Sequence, residues 1–207
     1  MQLLKTKNQK LVVLLPMFMA MLLTSKCFAQ DSLKTKKWFV GYETLEMSMN
    51  RFRNFAGEIG YRINPKNQLR LVIGEVKLTE AHLANTWQSE AVDGPNVDGY
   101  FRIYELNYDR FFGKRKNWYY GGNIGYTNDQ YNHLIAPYEK INNHTATAGF
   151  QFGYQKMNLF KVKHLYINFA FPFRYYFHSI PEHKWGDTKI LEHKFVNNIW
   201  FFVGYRF

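Results

Sequence analysis

The chain has 207 residues, of which 46% are hydrophobic, 19% aromatic and 21% charged, with one cysteine and a formal net charge of +11. Its 19 Phe, 15 Tyr and 5 Trp exclude an intrinsically disordered chain, because such chains lack the apolar surface that offsets the entropy of folding. A helical membrane protein is excluded as well: the only long apolar run, Leu11–Leu23, falls short of the roughly 20 residues a spanning helix needs.

Lys5, Lys7 and Lys10 precede that run, and Thr24-Ser25-Lys26-Cys27-Phe28-Ala29 follows it. A basic start, a short apolar centre and small residues at the exit predict a secretory signal peptide over 1–29 and one domain over 30–207. Cys27 and Ala29 fit the two small positions before the cut. A lipoprotein, with Cys27 carrying the lipid, asks for an aliphatic residue three positions earlier and a small one just before; Thr24 and Lys26 stand there. No cysteine remains beyond residue 29, so the exported domain gains its stability without disulfides. The basic residues left are scattered among acids. Their one dense cluster, Gly113-Lys114-Arg115-Lys116-Asn117, reads as a tight turn, so no nucleic-acid partner is expected.

Alternation with period two runs through the exported domain, and no stretch shows helical periodicity. Eight strands are expected, over Trp38–Met49, Asn54–Ile63, Gln68–Thr79, Gly99–Phe112, Trp118–Asn128, Thr145–Lys156, Val162–His178 and Lys194–Phe207. In the seventh, Leu165, Ile167, Phe169, Phe171, Phe173, Tyr175 and Phe177 share one face, and Tyr166, Asn168, Ala170, Pro172, Arg174 and Tyr176 share the other. That length of alternation exceeds the five or six residues usual in a soluble strand and suits one that crosses a bilayer. The connections alternate too. Asn64–Asn67, Gly113–Asn117 and the stretch around Met157-Asn158 are short, whereas Glu80–Asp98, Asp129–His144 and Ser179–His193 are long. Only Asn50–Arg53 departs from the pattern. With the amino terminus in the periplasm, an aromatic girdle of Trp38, Tyr61, Phe111, Trp118, Tyr154, Tyr205 and Phe207 falls at the periplasmic rim, the depth that amphipathic rings favour.

The ending Phe195-Val-Asn-Asn-Ile-Trp-Phe-Phe-Val-Gly-Tyr-Arg-Phe207 resembles the last strand of bacterial outer-membrane β-barrel proteins, which close on Phe with apolar residues at alternate positions before it. The whole domain is similar in pattern to the small eight-stranded barrels typified by the membrane domain of outer-membrane protein A. The resemblance implies an all-β, antiparallel, up-and-down transmembrane barrel in the bacterial outer membrane. It also implies outer-membrane lipids as surroundings and a last strand, ending at Phe207, read by the barrel-assembly machinery. It says little about activity, because many functions share the scaffold.

The interior of an eight-stranded barrel is just wide enough for side chains to fill. The face opposite the apolar one carries four acids and four bases, Glu43, Glu58, Glu105 and Asp109 with Arg62, Arg70, Arg174 and Arg206, which are expected to form a paired charge network in the lumen. Small residues such as Gly60, Gly121, Gly125, Gly149 and Gly153 make room for Tyr119, Tyr166, Tyr176, Trp200 and Phe202. A plugged lumen is expected rather than a small porin-like channel. A soluble lipocalin-like ligand binder would turn the apolar face inward and leave those large rings in water, and it would need a closing helix for which no candidate is found.

No enzymatic activity and no cofactor are expected. A lipid A acyl hydrolase or transferase would place Ser and His near the outer rim, where His178-Ser179, Glu182 and His183 lie; yet neighbours in a strand point to opposite faces. Six of the seven histidines, His82, His133, His144, His178, His183 and His193, fall in or beside the long loops, but their spacing matches no metal-ligand pattern. The function expected is a non-enzymatic barrel that presents surface loops to a partner of unknown kind, for envelope integrity or surface interaction.

Overall fold

The computed structural model describes residues 36–49, 55–78, 92–93, 96–135 and 139–207. The expected signal peptide, the Asn50–Arg53 connection, His82 and most of the loop around it lie outside the described residues. The barrel occupies Lys37–Arg206.

The elements are β1 (Trp38–Glu43), a helix α1 (Leu45–Met49), β2 (Phe55–Asn64), β3 (Asn67–Leu78), β4 (Val92–Asp93), β5 (Val97–Phe112), β6 (Trp118–His133) and β7 (Lys140–Met157). They continue with a 3-10 turn (Leu159–Lys161), β8 (Leu165–Ile180), β9 (His183–Trp185), β10 (Thr188–Ile190), β11 (His193–Asn197) and β12 (Trp200–Arg206). Antiparallel pairing runs β1-β2-β3-β5-β6-β7-β8-β12 and returns from β12 to β1, closing a ring of eight strands. Closure leaves no free edge along the ring.

The register sets the shape. Stepping across paired residues from Val40 leads through Ile59, Leu71, Leu106, Ile124, Ala148 and Tyr175 to Phe195, whereas Val40 itself pairs with Tyr205. The strands are therefore staggered by ten residues around the circuit, which obliges them to tilt and keeps the interior narrow. The three short turns, at Pro65-Lys66, Gly113–Asn117 and Asn158–His164, gather at one end with the start of β1 and the end of β12. We call this the turn end and the opposite one the loop end.

Three boundaries differ from the sequence expectation. The first strand stops at Glu43 because its carboxylate accepts the amides of Leu45, Glu46 and Met47 (3.0, 2.9 and 3.3 Å), which caps α1 where continued strand was expected. The fifth and sixth strands reach His133 and Lys140, so most of the expected Asp129–His144 loop is hairpin. Its residues read as loop because both faces are polar, yet Asp129, Tyr131 and Asn143 alternate inward and are buried. The eighth strand is divided. β12 pairs with β8 up to Ala170, β11 resumes opposite Phe173, and the break at Asn198-Ile199 falls opposite Pro172, which has no N–H to give to a neighbour.

Burial alternates residue by residue in the long strands. Inside lie Phe39, Val72, Ile103, Phe111, Tyr119, Tyr166, Tyr176, Trp200 and Phe202 together with Glu43, Glu58, Glu105, Asp109, Arg70 and Arg174, all at most 3% exposed, whereas Arg62 and Arg206 are only partly buried. Outside, Ile124 is 61%, Phe150 62% and Phe173 42% exposed.

Candidate functional site

The lumen is built by the inward position of every second residue on eight strands. At its turn-end half, the Arg70 guanidinium from β3 spans the interior. Its Nη1 meets Glu58 at 2.9 Å, its Nε meets Asp109 at 3.1 Å and its Nη2 donates to Gln151 Oε1 at 2.8 Å, all fully buried. Each acid is held further. Glu58 accepts the Tyr166 hydroxyl at 2.7 Å and Asn168 Nδ2 at 3.0 Å. Asp109 accepts Gln68 Nε2 at 2.8 Å and also the Gln151 amide. Tyr119 donates to Asn168 Oδ1 at 2.8 Å and so ties the cluster to the wall. A buried ion pair survives only when its spare lone pairs and protons are satisfied in this way.

A second cluster stands nearer the loop end. Arg174 Nε is bonded to Glu105, and Nη1 donates to Asn198 Oδ1 at 2.6 Å; Asn198 is one of the two residues that Pro172 frees from the ladder. Asp129 and Tyr176 are buried beyond it, and Ala56, Val72, Val76, Phe101 and Ile103 on β2, β3 and β5 belong to a buried apolar cluster.

Three of the eight expected lumen charges take other partners. Glu43 is buried but has backbone for company, since it accepts the amide of Phe201 at 3.2 Å besides those of α1. Arg62 donates to Gln68 at 3.0 Å and to the Pro65 carbonyl at 3.1 Å, and its guanidinium lies 3.6 Å above the Phe111 ring. Arg206 donates to Gln155 at 3.4 Å. Glu105, with Arg174, stands apart from the Arg70 group. The four-against-four pairing is thus two separate clusters plus polar anchors, because Arg62 and Arg206 lie at the turn end where no second acid reaches them. Asp129, one residue past the expected end of the fifth strand, is a buried lumen residue outside the expected set. Its even spacing from Thr127 was the available signal.

On the outside, of the rings expected for the girdle, Trp38 and Tyr61 have centroids 5.0 Å apart, Trp118 and Tyr154 have centroids 4.8 Å apart, and Tyr205 lies edge-on to His164, nearer the turn end than Trp200. Phe111 does not belong to it. It is 3% exposed and packs inward on Tyr119 at 5.2 Å, as its even spacing from Glu105 and Asp109 requires. Phe112 takes the outward place instead, against Tyr120 and Phe152.

The loop end is ordered by a small sheet in which β4 pairs with β10 and β10 with β9. The β9–β10 hairpin turns on Gly186-Asp187, with Gly186 at φ 56, a left-handed conformation that costs glycine nothing. Trp185 and Ile190 from this hairpin bury themselves against Val97 and Tyr131. The Gly-Asp pair between Trp185 and Thr188 is a hairpin signal inside the expected Ser179–His193 loop. His133 and His183 flank Trp185 at 5.4 and 5.1 Å. Ser179 Oγ donates to Glu192 at 2.9 Å, not to His178.

A barrel with rings outside and ions inside has the surface of a protein whose lateral solvent is hydrocarbon. Lipocalin-like packing would be the reverse, and Phe169 and Phe201, whose rings lie 4.4 Å apart on the outward face, exclude it. No family model matches the chain, and no curated protein matches it in sequence. Among solved structures it is similar to the crystal structure of Ail, the attachment invasion locus protein of Yersinia pestis, in complex with the heparin analogue sucrose octasulfate. The identity is 15%, over 83% of this chain and 97% of that one, with a TM-score of 0.36. At that level of likeness, what establishes the barrel is the closed circuit of strand pairs.

Proposed function

We propose that the chain is a non-enzymatic bacterial outer-membrane barrel with a plugged lumen, which presents surface loops for envelope integrity or for contact with a surface partner. The observation that carries this reading is the filling of the interior: Arg70, Glu58, Asp109, Gln68 and Gln151 bond one another across it, and all are at most 2% exposed. Hydrocarbon around the ring demands that every backbone group be paired within the protein, which closure accomplishes. Lipids surround the apolar belt, and the assembly machinery reads the last strand through Phe207.

Two measurements test this. Folded barrels resist detergent, so unheated and boiled membrane fractions should migrate differently on a gel, and a single mobility would overturn the membrane-spanning reading. In planar bilayers the folded protein should leave the membrane essentially non-conducting. Steady conductance steps would replace the plugged lumen with a channel.

A further inference from the structure

The two ends of the barrel differ in charge. At the loop end acids and bases are mixed and joined, as in Lys77–Asp98 at 3.2 Å and Lys189–Glu182 at 2.9 Å. At the turn end the three turns expose Lys66, then Lys114, Arg115 and Lys116, then Lys161 and Lys163. Among the described residues at this end, the one acidic side chain near the rim rings is Asp109, and it is buried and occupied by Arg70, Gln68 and Gln151.

Two further bases stand on the outer wall itself. Arg110 is exposed on β5, in register with Asn67 and Tyr120, and Lys156 is exposed on β7, two residues beyond Tyr154. Both point away from the lumen at the height of the Trp118–Tyr154 pair. A base in that position lies with its stem on apolar surface and lifts its charge to the headgroup layer.

We propose that the turn end is a binding surface for the headgroups of anionic glycerophospholipids in the leaflet that surrounds it, a proposal that rests on the membrane-spanning reading above. The bases occur on every turn around the ring rather than on one side, which fits many small headgroups better than one macromolecule. Rings and bases at one height recognise an interface in which phosphate lies just above hydrocarbon. Phosphodiester oxygens supply the negative charge that the protein omits from this end.

The test uses the full-length protein folded into phosphatidylcholine vesicles that carry spin-labelled phosphatidylglycerol or spin-labelled phosphatidylcholine as probe. The fraction of each label immobilised at the protein surface is compared. Labelled phosphatidylglycerol should be favoured by about threefold or more at low salt. The preference should collapse to parity near 1 M salt, where screening reaches within about 3 Å. Joint replacement Lys114→Gln, Arg115→Gln, Lys116→Gln, Lys161→Gln and Lys163→Gln should bring the ratio towards one, while Lys184→Gln with Lys189→Gln at the loop end should leave it unchanged. If the five-site variant does not insert, the salt series on the unaltered protein decides. Equal association of both labels in a protein that has inserted overturns this proposal alone, and binding of soluble polyglutamate would then assign the surface to an acidic periplasmic protein. Failure to insert into either vesicle overturns the membrane-spanning reading and this proposal with it.

Discussion

A methyl group placed on Gly153 would lie 2.2 Å from the Tyr119 ring, so at this position the interior has room for one large side chain and nothing more. Gly153→Val should cost about 1–3 kcal/mol through overpacking, read as a lowered urea midpoint of the protein folded in vesicles. Arg70 poses the electrostatic version of the same problem. Arg70→Met would leave Glu58 and Asp109 buried without their cation, and the loss should be about 3–5 kcal/mol by the same measurement. Adding Glu58→Gln and Asp109→Asn should shrink that loss, since the orphaned charges go with it. Beyond the membrane, the Ser179 hydroxyl and the Lys194 ammonium (3.6 Å away) hold the Glu192 carboxyl below its ordinary range. A depressed value in the folded state means that the contact contributes above the usual carboxylate pKa of about 4.3 and fades as pH falls through the lowered value. Protection of the amides around Ser179, taken relative to the intrinsic exchange rate at each pH, should therefore fall in acid, and Ser179→Ala should weaken that acid dependence.

Strands and loops obey different solvents. Phe171 on β8 is 36% exposed on the outward face, and Phe171→Arg should cost about 2–4 kcal/mol and reduce the heat-resistant gel form. Leu134, 50% exposed between β6 and β7, lies in water, and Leu134→Arg should change stability by less than about 0.5 kcal/mol. Equal effects would contradict the assignment of faces. The hairpin β9–β10 depends on its own anchor. Trp185→Ala removes the largest ring of the loop-end cluster, and trypsin should then cut at Lys184 and Lys189 while the barrel keeps its gel mobility. The helix α1 and the divided eighth strand show how one residue redirects an element. Glu43 offers acceptors that a strand could not use, and Pro172 withholds a donor that its neighbour would have needed.

For the molecule as a whole, closure is the governing fact. A stagger of ten residues over eight strands fixes the tilt and keeps the bore narrow, with Arg70, Tyr119 and Trp200 among the side chains buried in it. What distinguishes this barrel is what it places at its ends: a folded cap of β4, β9 and β10 at one, and unpaired basic turns at the other.

The sequence by itself determined the class of fold, the number of strands and which face of each meets lipid. Period two is imposed by local backbone geometry, and a hydrocarbon solvent selects the apolar side, so both are written residue by residue, as from Leu165 to Phe177. Strand count and turn placement follow, because Asn64–Asn67 and Gly113–Asn117 stop a strand by their own chemistry. The tertiary structure alone decided the partners. Whether Arg70 meets Glu58, or Glu43 meets four amides, depends on how strands distant in the chain are staggered across the bore. The same stagger sets Asn198 beside Arg174 and opposite Pro172. Pairing across a closed ring is a property of the circuit, and no local window of residues contains it.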